Sequence, residues 1–145
     1  MHHIAIFASG TGSNARKIIE YFQDSPVVQV ALVVSNKKDA GVLDIAKAHG
    51  IPVYVIGRQS FYETEDLLAV LQQHRVEFIA LAGFLWLIPA YLVRAYPRRM
   101  VNIHPALLPK YGGKGMYGIH VHEAVRAADE SETGITIHYV NEHYD

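Results

Sequence analysis

The stretch IAIFASGTGSN, residues 4–14, decides the fold class. Five apolar residues lead into a turn that contains two glycines. Apolar residues then recur at helical spacing, at Ala15, Ile18, Ile19 and Phe22. A strand, a tight turn and a helix in direct succession are typical of one βα unit of a parallel sheet. The sequence therefore predicts an α/β protein.

The turn of this unit is also a candidate anion site. Gly10 and Gly12 permit backbone conformations closed to other residues, and Ser13 or Asn14 can cap the following helix. Backbone N–H groups then converge at a helix N-terminus, where a phosphate is the natural ligand. The spacing matches neither the dinucleotide fingerprint nor the Walker loop. A plain strand-to-helix turn would use glycines too, so both interpretations stay open.

Strands and helices continue to alternate along the chain. Apolar runs predict strands over 27–34, 52–56, 78–83 and 134–140. Helical periods predict a helix from Gly41 to Gly50, a helix from a Ser60–Glu63 capping box to His74, a short helix after Pro89 and a helix over 119–128. A glycine-rich loop is predicted over 111–118. We therefore expect a single doubly wound, mostly parallel sheet with helices on both faces and a site at the carboxyl ends of its strands.

The stretch MVNIHPALLPK, residues 100–110, carries the strongest chemical signal. Its first half alternates as a strand does, so Asn102 and His104 should share one face near the strand's end. An amide N–H can stabilise a developing oxyanion, and an imidazole can move a proton near neutral pH. This pair suits acyl-type chemistry. A hydrogen-bonded pair at a strand end would have the same sequence pattern.

The apolar strand that ends at Gly83 opens into Phe84-Leu85-Trp86-Leu87-Ile88. Large side chains at the carboxyl end of a central strand could hold an aromatic or fused-ring ligand. Ordinary core packing would also explain them.

Composition limits the function classes. The 145 residues are half apolar and 19% charged, with a net charge of −1 and no cysteine, which indicates one globular domain without disulfides or thiol chemistry. No basic excess points to nucleic acid, and no run is long enough to span a membrane. The start lacks a signal-peptide pattern, so we expect a cytoplasmic protein. The late histidines form no recognised ligand set, and no metal is expected.

These motifs together resemble those of the folate-dependent formyltransferases. The resemblance rests on Ser9–Asn14, Leu81–Phe84, Asn102–Pro109 and Gly134–Asp145, which occur in the family's order and span almost the whole chain. It is strongest to the branch that formylates glycinamide ribonucleotide in purine synthesis. It implies one formyltransferase domain over residues 1–145, ending at the aspartate of the last motif.

The resemblance also implies roles for particular residues. Gly12, Ser13 and Asn14 would hold the phosphate of the ribonucleotide, and Leu85, Trp86, Leu87 and Ile88, with Asn102, would bind 10-formyltetrahydrofolate. Asn102 and His104 would be catalytic, and Asp145 would tune the imidazole. Both ligands are small molecules, and the chemistry requires no metal.

Departures from the family pattern leave alternatives open. Family chains continue beyond the aspartate at position 145, so we expect a C-terminal part to be missing. Trp86 stands where some relatives carry arginine, and the basic residue that some relatives place in the segment before Glu65 is absent. The alternatives are a formyltetrahydrofolate hydrolase, which usually has His-His where this chain has His104-Pro105, and a folate- or nucleotide-binding module without turnover. A transfer-RNA formyltransferase is disfavoured because no basic surface or second domain for RNA is evident.

Overall fold

The computed structural model describes residues 1–104 and 136–139. Its strands are β1 (His2–Phe7), β2 (Val28–Ser35), β3 (Val53–Val55), β4 (Phe78–Leu81), β5 (Met100–His104) and β6 (Thr136–Tyr139). Its helices are α1 (Ser13–Phe22), α2 (Gly41–Ala48), α3 (Arg58–Glu63), α4 (Asp66–Gln73) and α5 (Ala90–Ala95). The predicted loop over 111–118, the predicted helix over 119–128 and Asp145 lie outside the described residues.

The strands form one six-stranded sheet in the order β3-β2-β1-β4-β5-β6. Neighbours from β3 to β5 pair in parallel, and β6 pairs antiparallel to β5. The chain winds from β1 outward to β3, then crosses to β4 on the other side of β1. The prediction of a doubly wound, mostly parallel sheet is confirmed.

Both faces of the sheet are covered by helices, because alternate residues of the apolar strands point to opposite sides. On one face, Ala5 and Phe7 of β1 pack with α3, α4 and α5 through Phe61, Leu67, Leu71 and Leu92. On the other face, Ile6 and Ala8 pack with α1 and α2 through Ala15, Ile19, Val42 and Ala46. We call these the α3 face and the α1 face.

The helix predicted from Ser60 to His74 is two helices, so this prediction is wrong at its centre. Thr64 is extended, with φ −132° and ψ 173°, and separates α3 from α4. Its hydroxyl donates to the Ser60 carbonyl over 2.6 Å and accepts from the Asp66 N–H over 3.2 Å. Such local side-chain bonds compete with helical ones. Ser60 is inside α3, and its hydroxyl donates to the Gly57 carbonyl.

No helix in the described part of the chain is long and apolar enough to cross a membrane.

Candidate active site

The carboxyl edge of the sheet brings the predicted site segments together. Phe7 of β1 is in register with Leu81 of β4, and Leu81 is in register with Asn102 of β5. The chain leaves β1 toward β2 and leaves β4 toward β5, so the winding direction reverses between β1 and β4. Ligands of doubly wound sheets bind at the carboxyl ends of the strands beside this reversal.

The glycine loop after β1 ends at Gly12, which is the N-cap of α1 with φ 81° and ψ 28°. Ser13 and Asn14 are the first residues of the helix, so the prediction that one of them caps it is wrong. The helix has no side-chain cap and no acidic residue in its first turn. Its first N–H groups lack intrahelical acceptors and lie at the positive end of the helix dipole. This is a suitable arrangement for an anion.

Close packing against α2 explains why glycine occupies position 12. A Cβ built at Gly12 would lie 2.8 Å from the Val42 Cβ, a distance that real Cβ atoms do not adopt. The Val42 N–H donates to the Gly10 carbonyl over 3.2 Å. The loop is therefore held between the N-termini of two helices. Helix α1 begins at Ser13, directly after the left-handed Gly12.

Ser9 connects three strand ends through one buried side chain. Its Oγ donates to Asn36 Oδ1 over 2.6 Å and accepts from the Leu85 N–H over 2.9 Å. Its own N–H donates to the Gly83 carbonyl over 3.2 Å. The loops after β1, β2 and β4 are thereby joined at the carboxyl edge. Residue 9 is 1% exposed, so water cannot readily replace these bonds.

The segment over 85–88 alternates between outward and inward side chains. Leu85 and Leu87 are 38% and 45% exposed, whereas Ile88 is 7% exposed. Trp86 is partly buried on the α3 face, where its ring lies 5.8 Å from that of Phe61. Two exposed leucines on either side of an anchored indole form an apolar surface of the kind that flat ligands use.

Backbone groups of this segment offer hydrogen bonds beside that surface. The Leu87 carbonyl accepts from the Tyr62 hydroxyl over 2.7 Å, which ties the segment to α3. The N–H groups of Trp86 and Ile88 have no hydrogen-bond acceptor among residues 1–104 and 136–139. Two donors two residues apart can therefore meet a ligand.

Helix α3 is anchored from below by Tyr91 of α5. The Tyr91 hydroxyl donates to the Phe61 carbonyl over 2.7 Å. Burial, together with the nearby negative charges of Glu65 and Asp66, raises the pKa of Tyr91 to about 12. The phenol is thus neutral and remains a donor at physiological pH.

Asn102 and His104 both lie on β5, as predicted. Asn102 is partly buried and in register with Leu81, a residue of the α3 face. Strand alternation puts position 104 on that face as well. Across the antiparallel pair, positions 138 and 136 of β6 lie opposite positions 102 and 104. Asp145, the predicted partner of His104, lies outside the described residues.

A cleft of about 570 Å³ lies away from this edge. Its walls are mainly apolar side chains of the α1 face, with polar groups such as Glu77 and Arg98 from the amino-terminal side of the sheet. It contains neither the glycine loop nor the segment over 85–88. Polar groups at the strand ends make the carboxyl edge a better candidate site than this cleft.

Within the described ranges, no group of three histidine, aspartate or glutamate side chains is placed to hold a metal ion.

Sequence reasoning missed Ser9 as the residue that joins the loops, and it missed Arg58 and Tyr62, which contact the segment over 85–88. Ser9 had a weak signal, since it is the first polar residue after a buried strand. Arg58 and Tyr62 had none, because only the fold brings α3 against this segment.

Comparison with known proteins identifies the family. The formyl transferase family model matches residues 2–145. The chain is 49% identical to the chloroplastic phosphoribosylglycinamide formyltransferase of Arabidopsis thaliana, over 98% of this chain and 51% of that protein. It is 36% identical to the phosphoribosylglycinamide formyltransferase of Bacillus subtilis, over the whole chain and 74% of that protein.

Solved structures agree with these matches. The phosphoribosylglycinamide formyltransferase of Anaplasma phagocytophilum superposes with a TM-score of 0.87 at 33% identity, over 99% of this chain and 67% of that one. A formyltetrahydrofolate deformylase from Pseudomonas syringae shares the fold, with a TM-score of 0.79 at 21% identity. The chain spans about half the length of the plant relatives it matches. It belongs to the formyl transferase family, as its sequence motifs predict.

Proposed function

We propose that this protein transfers the formyl group of 10-formyltetrahydrofolate to the amine of glycinamide ribonucleotide, a step of purine synthesis. One observation carries the proposal. The glycine loop, the segment over 85–88 and Asn102 follow or end three neighbouring strands at one edge of the sheet. The names of the relatives that match over most of their length support the same reaction.

The ribonucleotide's phosphate binds at the glycine loop in this proposal. Gly12, Ser13 and Asn14 supply the start of α1, with its uncapped N–H groups and no competing carboxylate in the first turn. The left-handed Gly12 and its contact with Val42 support a fixed loop shape before the ligand arrives. A preformed anion site requires little ordering upon binding.

The folate binds against the segment over 85–88. Leu85 and Leu87 present apolar surface to the fused ring, and the N–H groups of Trp86 and Ile88 serve as hydrogen-bond donors to its polar edge. Asn102 is on β5, the neighbour of β4, and in this proposal the two ligands meet beside it. The formyl donor is a co-substrate, and the chemistry involves no metal.

The reaction joins the ribonucleotide's amine nitrogen to the formyl carbon. A tetrahedral intermediate forms, and Asn102 donates a hydrogen bond to its negative oxygen. His104 accepts the proton released by the amine and delivers a proton to N10 of the folate as the bond between the formyl carbon and N10 breaks. Asp145 holds the imidazole in its working orientation and favours its protonated form. The products are formylglycinamide ribonucleotide and tetrahydrofolate.

The cytoplasm is the compartment in this proposal. Two plant relatives are named chloroplastic.

The experiment that tests the proposal follows tetrahydrofolate release by absorbance, with and without glycinamide ribonucleotide. We expect release only when the ribonucleotide is present. His104→Ala should abolish it, whereas His74→Ala, at the end of α4 and the opposite edge of the sheet, should not. Release without the ribonucleotide would favour a hydrolase. No release from the folded protein, together with measurable folate binding, would favour a binding module.

A further inference from the structure

The turn after β2, residues 36–40, carries two lysines that formyl transfer does not require. Lys37 and Lys38 are both exposed. Neither side chain forms an ion pair or a hydrogen bond with any residue that the structure describes, although Asp39 follows directly. Both ammonium groups therefore keep their charge and their donors for a ligand.

Both ends of this turn touch the glycine loop. At its start, the Ser9 hydroxyl donates to Asn36 Oδ1 over 2.6 Å. At its end, α2 begins at Gly41, where a Cβ would lie 3.2 Å from the Thr11 Cα. The two lysines lie between these contacts in sequence. Their backbone is therefore held beside the loop to which we assign the phosphate.

The turn also has hydrogen bonds that fix its shape. The Lys37 N–H donates to the Ser35 hydroxyl over 3.2 Å, and the Lys37 carbonyl accepts from the Ala40 N–H over 3.2 Å. Ser35 is the last residue of β2 and is fully buried, so the sheet holds the acceptor in place. Binding at an ordered turn requires little loss of backbone entropy.

We propose that Lys37 and Lys38 attract the phosphate of the ribonucleotide to the glycine loop and hold it there. This inference rests on the proposed function, because it assumes that the phosphate binds at the start of α1. A helix N-terminus supplies N–H groups and only a partial positive charge. A phosphate monoester carries a charge of about −1.5 to −2 at pH 7. The lysines supply the remaining positive charge as point charges and take no part in formyl transfer.

Binding of paired ligands tests this inference. The probes are glycinamide ribonucleotide and the same molecule without its phosphate, titrated by calorimetry into the whole protein. The double variant Lys37→Gln/Lys38→Gln should bind the ribonucleotide about fivefold more weakly, as the loss of two exposed charge interactions would produce. Binding of the probe without phosphate should not change. Replacing both lysines by arginine should retain the binding of the wild-type protein.

Kinetics separate a binding role from a structural one. The double glutamine variant should raise the KM for the ribonucleotide about fivefold and leave the KM for 10-formyltetrahydrofolate unchanged. A displaced turn would instead move Ser9, which is bonded to the Leu85 N–H, and would raise both KM values. Added salt should lower kcat/KM for the ribonucleotide more steeply in the wild-type protein than in this variant. Lys47→Gln removes an exposed lysine in the last turn of α2 and is the matched control.

The outcomes distinguish this inference from the proposed function. Equal weakening of both probes, or a rise in both KM values, would overturn the role of the two lysines. If the wild-type protein and the double glutamine variant prefer the ribonucleotide to the probe without phosphate by the same factor, only this inference fails. If the wild-type protein does not bind the ribonucleotide, the proposed function fails with it.

Discussion

The Leu85 N–H donates a hydrogen bond to the Ser9 hydroxyl over 2.9 Å, although 76 residues separate the two in sequence. The bond joins the loop after β1 to the loop after β4. In the proposed enzyme, these loops hold different ligands, the ribonucleotide's phosphate and the folate. A single buried hydroxyl therefore sets the spacing between the two halves of the site.

Replacing Ser9 tests this connection. Ser9→Ala removes both side-chain bonds and leaves the partly buried Leu85 N–H without its acceptor, so we expect a loss of about 1–3 kcal/mol in the free energy of unfolding. The KM values for both substrates should rise together. Urea unfolding and steady-state kinetics measure these effects. Ser60→Ala removes an exposed hydrogen bond from a hydroxyl to the Gly57 carbonyl, and it should change the free energy of unfolding and both KM values only slightly. Unchanged stability of Ser9→Ala would contradict the role given to this hydroxyl.

Glycine substitutions separate backbone strain from steric overlap. Gly12→Ala combines a positive φ of 81° with a Cβ placed 2.8 Å from Val42, and we expect it to cost more than about 2 kcal/mol. Gly50→Ala has a positive φ of 70° but open space, so about 1 kcal/mol of strain should remain. Gly10→Ala has neither a positive φ nor a steric overlap, so it should lower the free energy of unfolding by less than about 0.5 kcal/mol. Equal stability of the three variants in thermal unfolding would contradict the packing described.

Alkaline pH should weaken the hydrogen bond that the Tyr91 hydroxyl donates to the Phe61 carbonyl of α3. Tyr91 ordinarily loses its proton near pH 10, and burial raises its pKa to about 12 in the folded protein. The folded state therefore holds this proton more tightly than the unfolded state does. The resulting stabilisation is complete below pH 10 and disappears as the pH rises through 12.

Comparison with Tyr91→Phe isolates this effect. At pH 7 the variant should be about 1 kcal/mol less stable, because the Phe61 carbonyl loses its donor. The difference in the free energy of unfolding between the wild-type protein and the variant should become smaller as the pH rises from 10 to 12. Urea midpoints across this range provide the measurement. A stability difference that grows with pH would contradict the predicted direction of the pH effect.

Asn102 should affect catalysis far more than stability. If its amide stabilises the oxyanion, Asn102→Ala should lower kcat by about 10²–10³-fold with a small change in KM. Gln73→Ala, an exposed amide at the end of α4, is a suitable control and should leave kcat unchanged. An Asn102→Ala protein that retains most of its kcat would exclude the amide from the transition state. Initial rates with saturating folate and ribonucleotide distinguish these outcomes.

The sheet could be predicted because each strand is an apolar run bounded by turn residues. Alternation in β5 was enough to place positions 102 and 104 on one face. The break at Thr64 was not predicted in this way, because a hydroxyl bond to Ser60 accompanies it and no glycine or proline marks it. The cap of α1 was misassigned for a similar reason, since the space at Gly12 is set by Val42 of another helix.

The candidate site residues differ in the same way, since local sequence patterns mark some of them and not others. Residues 12–14 and 85–88 and Asn102 stand in local patterns, and the fold brings their segments to one edge. Ser9, Tyr62 and Arg58 act through partners that are distant in sequence, and no local pattern marks such residues. Their roles follow only from the packing of α3 and the pairing of β1 with β4.

The strand order also has a consequence for how the protein folds. β1 pairs with β2 across a short loop-and-helix connection, but it pairs with β4 only after two further strands and their helices have been made. Closing the longer connection costs more chain entropy and should occur later. A folding intermediate with only β1, β2 and β3 in place would have the glycine loop but no segment over 85–88 beside it. In the proposed enzyme, the nucleotide half of the site would therefore form before the folate half during folding.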